Sequence, residues 1–158
     1  MNAGYRMVAA RIRSELSELH RVVERTVQVW QRARQAADDY LVDAAALNLH
    51  GFYAGLERIF EIVAEEVDQS RPSGLHWHQE LLRQMSSDVP NVRPPMLSLG
   101  LRNSLDRYRG FRHVVRNVYT FNLDADHVDL LVKQLQPTMV QLSKELLTFA
   151  DFLEQLGV

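Results

Sequence analysis

The chain of 158 residues is 46% hydrophobic, which is enough to bury the core of one domain, and we expect a single domain over residues 1–158. Its formal net charge is −2, so no overall basic field attracts nucleic acid, and any nucleic-acid site has to be local. The absence of cysteine excludes disulfides and thiolate zinc sites, and no stretch is apolar enough for a signal peptide or a membrane span, so we expect a cytoplasmic protein.

Two long helices are predicted in the first part of the chain. The first covers about residues 3–37, where core-type side chains recur at alternating four- and three-residue steps, as in a helix that buries one stripe. Asp38 and Asp39 mark a break, because Asp is favoured at helix N-termini, and the second helix is predicted to run to about Asp68.

Small and acidic residues of the second helix indicate contacts with other helices. Gly51 and Gly55 are four residues apart, a spacing that lets another helix approach closely. Glu57 and Glu61 are also four residues apart, and they are either surface charges or counter-charges for the arginines of a later helix.

A short amphipathic helix is predicted after a turn at residues 69–74. It begins at His76, Trp77 and His78 and ends near Asp88. The two histidines point in different directions on a helix, and no third ligand follows at a suitable spacing. We therefore expect helix capping or a Trp–His packing contact here, and no metal.

Prolines make residues 89–96 stiff and extended, and we interpret this stretch as a crossover to the far end of the bundle. The next helix is predicted to start near Ser98 or Leu101 and to continue to Asn122.

The last helix is predicted from Asp124 to Leu156. Pro137 lies inside it and predicts a kink or a brief interruption, and Gly157 is expected to close it. No segment shows the two-residue alternation of a strand. The sequence therefore predicts an all-α, up-and-down helical bundle with about four main helices and one short helix.

The predicted fourth helix carries most of the chemistry. Five side chains, which we call the basic strip, fall within an arc of roughly 120° beside its apolar side. They are Arg109, Arg112, His113, Arg116 and Tyr119. The apolar side is formed by Leu101, Leu105, Tyr108, Phe111, Val115 and Val118. An Arg-rich face is often simply solvated, but this strip has almost no acids at i,i+4 spacing, and Arg suits bidentate contact with phosphate. We interpret the basic strip as a polyanion-binding surface.

No metal-binding or nucleotide-binding motif accompanies the strip. The sequence contains no HExxH, no Gly-rich phosphate loop and no Ser nucleophile elbow, so we predict no metal and no cofactor. What remains is acid–base chemistry beside arginines, because His titrates near neutral pH and Arg can stabilise the charge on a phosphorane. His113 lies beside Arg112 and one turn from Arg109 and Arg116, so one surface holds the groups that RNA cleavage requires.

The segment Phe111–Tyr119, FRHVVRNVY, resembles the signature of the HEPN superfamily, and in particular of HepT-like proteins, which is often written R-x4-H-x-Y. Flanking segments agree with a HepT-like branch, at residues 48–68, at residues 74–85 and at the RPP of residues 93–95. The resemblance covers roughly residues 47–131.

This resemblance implies a helical bundle that forms a homodimer, with the motif helices facing each other across the two-fold axis. It also implies a ribonuclease toxin that acts on RNA, not DNA, and that is paired with a nucleotidyltransferase antitoxin. In such pairs the Tyr of the motif, here Tyr119, receives AMP. Phosphate groups added near Arg112 and Arg116 would neutralise the site that must hold RNA.

The motif is altered at two positions. Four residues separate Arg112 from Asn117, where the pattern has His, and His113 stands where an Asn is usual. Arg107 and His113 satisfy a looser form of the motif, but these two side chains project about 120° apart on a regular helix. Either His113 takes over the acid–base role, or this branch has lost catalysis and kept a binding surface. Asn117 can orient a phosphate but cannot donate a proton productively.

Three hypotheses follow. The first is a ribonuclease toxin acting as a dimer. Its catalytic candidates are Arg112, His113, Arg116 and Asn117, its RNA-binding candidates are Arg109 and Arg116, and its regulatory candidate is Tyr119. The second is a non-catalytic HEPN-like module that binds RNA, a nucleotide or a nucleotidyltransferase partner. The third is a helical scaffold whose Arg face pairs with Glu57, Glu61 or acids of a second subunit.

Overall fold

The computed structural model describes residues 3–119 and 122–156, and over these residues the secondary structure is helical without a strand. The helices are α1 (Ala3–Ala36), α2 (Asp39–Val63), α3 (Trp77–Met85), α4 (Leu99–Asn117) and α5 (Ala125–Leu156). Helix α2 continues into a π-helical turn over Ala64–Asp68. The prediction of an all-α bundle with four main helices and one short helix is confirmed.

Helices α1 and α5 run in opposite directions. Near the start of α1, Arg13 bonds to Asp151, which lies near the end of α5. Near the end of α1, the indole Nε1 of Trp30 donates to Asp129 Oδ1 at 2.7 Å, close to the start of α5. Because α1 and α2 are joined by a short turn, α2 also runs antiparallel to α1 and therefore parallel to α5.

Helix α4 runs antiparallel to α5 and so completes the up-and-down arrangement. Ser98, the N-cap of α4, donates its backbone N–H to Glu145, in the second half of α5. Further along α4, the hydroxyl of Tyr108 donates to the carbonyl oxygen of Leu131 at 2.7 Å. The Ser98 side chain also accepts from the Leu101 N–H at 3.2 Å, and the predicted start of this helix is confirmed.

Aromatic packing places α4 beside α2. Phe52, Tyr53 and Tyr108 are among the largest fully buried side chains. The rings of Phe52 and Tyr108 meet edge to face with their centroids 5.4 Å apart. The buried side of α4 therefore packs against α2.

The glycine pair on α2 has two different environments. A Cβ added at Gly55 would lie 3.0 Å from Cδ2 of Leu19, so α1 approaches α2 closely there, as predicted. A Cβ added at Gly51 would meet nothing within 4 Å. Gly51 therefore has no part in close packing.

The proline-rich segment does not cross the bundle, and that interpretation is wrong. Arg93 is fully buried and binds Asp68 through Nε at 2.6 Å and Nη2 at 2.7 Å, at the end of the π-helical turn. The N–H groups of Met96 and Leu97 both donate to the carbonyl oxygen of Met85. The segment is a local turn between α3 and α4, because these bonds hold it beside the end of α2.

Helix α5 continues through Pro137, so the brief interruption, one of the two predicted alternatives, does not occur. The predicted closing residue, Gly157, lies outside the described residues. Within the part of the chain that the structure describes, no helix is long and apolar enough to cross a membrane.

Candidate functional site

Helix α4 presents its arginines between a buried side and an exposed side. Leu101, Leu105, Tyr108 and Phe111 are buried as predicted, whereas Val115 is half-buried and Val118 is exposed. Arg109 and Arg112 are half-buried, and His113, Arg116 and Asn117 are exposed. The exposure of these polar side chains therefore increases along α4, from the half-buried arginines to the exposed residues near its C-terminal end.

A cavity of about 620 Å³ opens over this flank. Its lining residues are Leu75, His76, His78, Gln79, Arg109, Arg112, His113, Arg116 and Asn117. Five of these residues belong to α4, and the other four belong to the start of α3 and the turn before it. The structure thus brings together the predicted Arg, His and Asn candidates, and it adds a wall from α3 that the sequence did not indicate.

The predicted helix is too long at its C-terminal end, and Tyr119 does not lie on it. Helix α4 ends at Asn117, and Val118 has extended backbone angles, with φ −128° and ψ 156°. The side-chain Nδ2 of Asn117 donates to the carbonyl oxygen of His113 at 2.7 Å, a local bond that is typical of Asn at helix ends. Tyr119 is 74% exposed and is not among the cavity-lining residues.

Arg112 is held by a buried acid from α2. Its Nη1 atom lies 3.8 Å from Oε1 of Glu57, whose side chain is only 5% exposed. The Arg112 side chain is 17% exposed, and its Nε is buried without a hydrogen-bond partner among the residues that the structure describes. Glu57 is therefore a counter-charge for an arginine of α4, which is one of the two roles considered for it. Glu61 instead pairs with Arg71, with 3.6 Å between Oε1 of Glu61 and Nη2 of Arg71.

The same carboxylate also holds a histidine. Oε2 of Glu57 lies 2.8 Å from Nδ1 of His78. The His78 ring stacks on Trp77 with the ring centroids 3.6 Å apart, which is the packing contact expected from the sequence. Sequence reasoning missed the role of His78 in the site. The available signal was Glu57 itself, because an acid among the apolar residues of a core-facing helix needs buried partners.

The arginines of the strip differ in how far their charge is compensated. Nε of Arg109 lies 2.6 Å from Oδ1 of Asp106, one turn earlier on the same helix. Among the described residues, no carboxylate forms an ion pair with Arg116. Positive charge is therefore least compensated at the exposed end of the cavity, and the full pairing that a purely structural Arg face would show is absent at Arg116.

Helix α2 places two further titratable groups behind the strip. The pKa of His50 is lowered by burial and by the nearby charges of Arg112 and Arg116, against an opposing effect of Glu57. Burial, and then the charge of Glu57, raises the pKa of Tyr53. In the described part of the chain, the buried hydroxyl of Tyr53 has no hydrogen-bond partner. At neutral pH His50 and Tyr53 are therefore neutral, and neither adds charge to the site.

The cavity suits an anionic ligand that is rich in oxygen atoms. Guanidinium groups at i, i+3 and i+7 on α4 line it together with imidazoles from two helices. Among the described residues, no group of three or more His, Cys, Asp or Glu could hold a metal ion. The chemistry available from these side chains is anion binding and proton transfer.

A family model described as HepT-like protein matches residues 44–153. The chain belongs to the HepT-like proteins. The matched range contains every residue that lines the cavity and Glu57 behind it. No curated protein and no solved structure matches the chain.

In this HepT-like chain, Asn117 carries no imidazole, and its amide nitrogen is bonded within its own helix. The imidazoles at the cavity are instead those of His76, His78 and His113. Of these, His78 has a buried carboxylate partner. The imidazoles at the cavity thus come from α4 and from the beginning of α3.

Proposed function

We propose that this HepT-like protein is a metal-independent endoribonuclease of the cytoplasm and the toxin of a pair with a nucleotidyltransferase antitoxin. The observation that carries the proposal is the cavity in which Arg109, Arg112 and Arg116 meet the imidazole of His113. Fixed guanidinium groups bind phosphate and stabilise charge that develops on it, and a nearby imidazole transfers protons near neutral pH.

Each α4 residue has a distinct part in this proposal. Arg112, fixed by Glu57, contacts the scissile phosphate, and the exposed Arg116 and the half-buried Arg109 bind the RNA backbone. His113 handles a proton of the reacting oxygens. Asn117 orients the phosphate through its side-chain oxygen, since its nitrogen is engaged with the His113 carbonyl.

A homodimer is part of the proposal. A single α4 offers RNA one wall of a basic cleft, whereas two copies facing each other across a two-fold axis make a deeper one. Val114 and Val118, on the same part of the chain, are 36% and 39% exposed, and burial between two copies would remove this apolar surface from water.

Tyr119 is proposed as the residue that the antitoxin modifies. Its side chain is 74% exposed and lies two residues beyond the end of α4. AMP groups added there would bring phosphate next to Arg116, and they would compete with RNA for the guanidinium groups.

The alternative is a non-catalytic module that binds RNA, a nucleotide or a nucleotidyltransferase partner. The position of Asn117 favours it, because the residue that carries the motif imidazole in the superfamily is an amide here. Both hypotheses use the arginines as the binding site, but only the first requires that RNA is bound and cleaved there.

The decisive experiment incubates purified wild-type protein with single-stranded RNA in the presence of a metal chelator. We expect cleavage, and we expect Arg112→Ala to slow it by roughly 10²-fold or more, because a fixed cation at the developing charge is lost. Arg21→Ala, on the exposed side of α1, is the matched control and should cleave normally.

The outcomes separate the two candidate functions. RNA that binds in an Arg112-dependent manner but stays intact supports the non-catalytic module. RNA that neither binds nor is cleaved leaves only a nucleotide or protein partner for the Arg face. Cleavage that needs a divalent cation contradicts the proposed mechanism.

A further inference from the structure

We infer that His78 on α3 is the general base of the ribonuclease, and that Glu57 on α2 is the residue that positions it. This inference rests on the proposed ribonuclease function and assigns a second imidazole to the same site. The observation behind it is one buried carboxylate that contacts both the imidazole of His78 and the guanidinium of Arg112.

The contact with Glu57 determines which nitrogen of His78 is available. A carboxylate can only accept a hydrogen bond, so the imidazole donates from Nδ1 to Oε2 of Glu57 over 2.8 Å. In the neutral ring the lone pair is then on Nε2, which is the atom that can accept a proton from a substrate. A carboxylate that holds a catalytic imidazole in this tautomer is a recurring arrangement in hydrolytic enzymes.

The plane of the ring is also fixed. His78 stacks on the indole of Trp77 with an interplanar angle of 29°, and the Arg71 guanidinium lies 5.6 Å from the centroid of the same indole. The His78 side chain is 28% exposed, and the residue lines the cavity over α4. The ring is thus restrained on one face and by one nitrogen while it remains open to the cavity.

Glu57 fixes the base relative to the phosphate site. Its Oε2 faces His78, its Oε1 lies 3.8 Å from Nη1 of Arg112, and its side chain is 5% exposed. Burial of a carboxylate is unfavourable unless it is paired, so the contacts with His78 and Arg112 stabilise Glu57 in this position. The imidazole from α3 and the guanidinium from α4 are thus linked at the cavity through one carboxylate.

The proton-transfer step then runs as a transesterification. Nε2 of His78 takes the proton of a ribose 2′-hydroxyl, and the 2′-oxygen forms a bond to the adjacent phosphorus. The bond from phosphorus to the 5′-oxygen breaks, and that oxygen takes a proton from His113, on the same cavity wall as Arg112. The products are a 2′,3′-cyclic phosphate and a 5′-hydroxyl, with no change in oxidation state and no net proton consumed.

The first test compares His78→Ala with wild type in single-turnover cleavage of a short RNA. We expect a loss of roughly 10²- to 10³-fold in the rate of cleavage, the usual contribution of a general base. Affinity for the same RNA with 2′-O-methyl groups, which cannot react, should change by less than about threefold, because the phosphate-binding arginines are intact. His20→Ala, an exposed histidine on α1, is the matched control and should cleave at the wild-type rate.

Two further measurements exclude a merely structural role for His78. Added imidazole should restore part of the activity of His78→Ala, since a small base can occupy the vacated space. An RNA with a 5′-thio leaving group, which needs no general acid, should leave the His78→Ala defect in place, and it should reduce the defect of His113→Ala.

Glu57→Gln tests the positioning role. It should lower the single-turnover rate in wild type, and it should lower it less in the His78→Ala background, because residues that act as a unit are not additive. Equal effects in both backgrounds would show that Glu57 acts only through Arg112.

The possible failures are distinguishable. Normal cleavage by His78→Ala overturns the role of His78 and leaves the ribonuclease intact. A His78→Ala defect that disappears with the 5′-thio RNA assigns His78 as an acid and overturns its role as base, and a defect that imidazole does not restore, accompanied by weaker RNA binding, assigns it to structure. No cleavage by wild-type protein overturns the proposed function together with this inference.

Discussion

His50 lies on α2 behind the strip, in partial burial and near Arg112 and Arg116, and its pKa is lowered for these reasons. The unfolded chain therefore binds a proton at this position more readily than the folded protein does. The contribution of His50 to the free energy of unfolding is fully present above the unfolded pKa of about 6.5. This contribution is lost as the pH falls below that value, toward the lower pKa of the folded state.

The pH effect can be measured with His50→Gln, which cannot be protonated. Between about pH 7.5 and pH 5.5, we expect the free energy of unfolding in urea to fall less steeply in this variant than in wild type. Identical slopes in the two proteins would show that His50 takes up its proton equally in both states.

For individual residues, the sequence predicts which side chains of one helix lie on the same side of it. Arg109, Arg112 and Arg116 share a flank of α4 because their spacing follows the helical repeat, and they do line one cavity. His78 could not be assigned to the site in this way, because 34 positions of chain separate it from Arg112 and only packing of α3 beside α4 brings the two together. A pattern within one helix contains no information about which neighbour faces it.

Among the helices, the connection between α3 and α4 depends on one buried arginine. Arg93 is 0% exposed in its side chain, binds both carboxylate oxygens of Asp68 and donates to the carbonyl oxygens of Ser87, Gln84 and Pro94. The sequence suggested a crossover because prolines stiffen the segment, but the Asp68–Arg93 pair is a long-range contact that no local pattern contains.

Arg93→Ala tests this connection. It leaves the Asp68 carboxylate buried without its partner, and we expect unfolding in urea to be easier by about 3–5 kcal/mol. Arg83→Ala, an exposed arginine on α3, should change stability by less than about 0.5 kcal/mol. Similar values for the two variants would mean that the buried pair is dispensable.

The two glycines of α2 offer a matched comparison within one helix. Gly51→Ala should stabilise the protein by roughly 0.5–1 kcal/mol, because its Cβ meets nothing and Ala is the better helix former. Gly55→Ala should gain less or lose stability, because its Cβ would lie 3.0 Å from Cδ2 of Leu19 and the Leu19 side chain would have to move. Thermal unfolding of both variants measures the difference, and equal gains would contradict the close approach of α1.

Helix boundaries were predictable where caps are strong, as at Asp38 and Ser98, whose side chains accept hydrogen bonds from Tyr40 and Leu101. The end of α4 was not predictable from periodicity, because the apolar pattern continues to Val118 although the helix has ended. A β-branched residue after Asn117 fits an extended backbone as well as a helix, and the Asn side chain competes for the last carbonyl groups.

For the molecule as a whole, the alternating helices place the end of α4 and the start of α5 at one end of the bundle. The exposed side chains of Val114, Val118 and Tyr119 lie there beside the exposed Arg116. We propose that two copies associate on this surface, since the apolar groups would then be buried and the arginines of both copies would face one RNA.

The homodimer is testable by sedimentation. We expect wild-type protein to be a dimer at micromolar concentration, and Val114→Lys to be a monomer with unchanged helical content, because its lysine would face the same lysine of the second copy across the two-fold axis. Val140→Lys introduces the same change at a 71% exposed valine on α5 and should remain a dimer.

The activity of the two variants then connects assembly to function. If the cleft is shared, Val114→Lys loses RNA cleavage together with dimerisation, while Val140→Lys keeps both. A monomeric Val114→Lys that still cleaves RNA at the wild-type rate would mean that Arg112, His113 and His78 of one chain are sufficient. In that case the second copy would contribute RNA affinity alone, and the catalytic cavity would be complete within a single bundle.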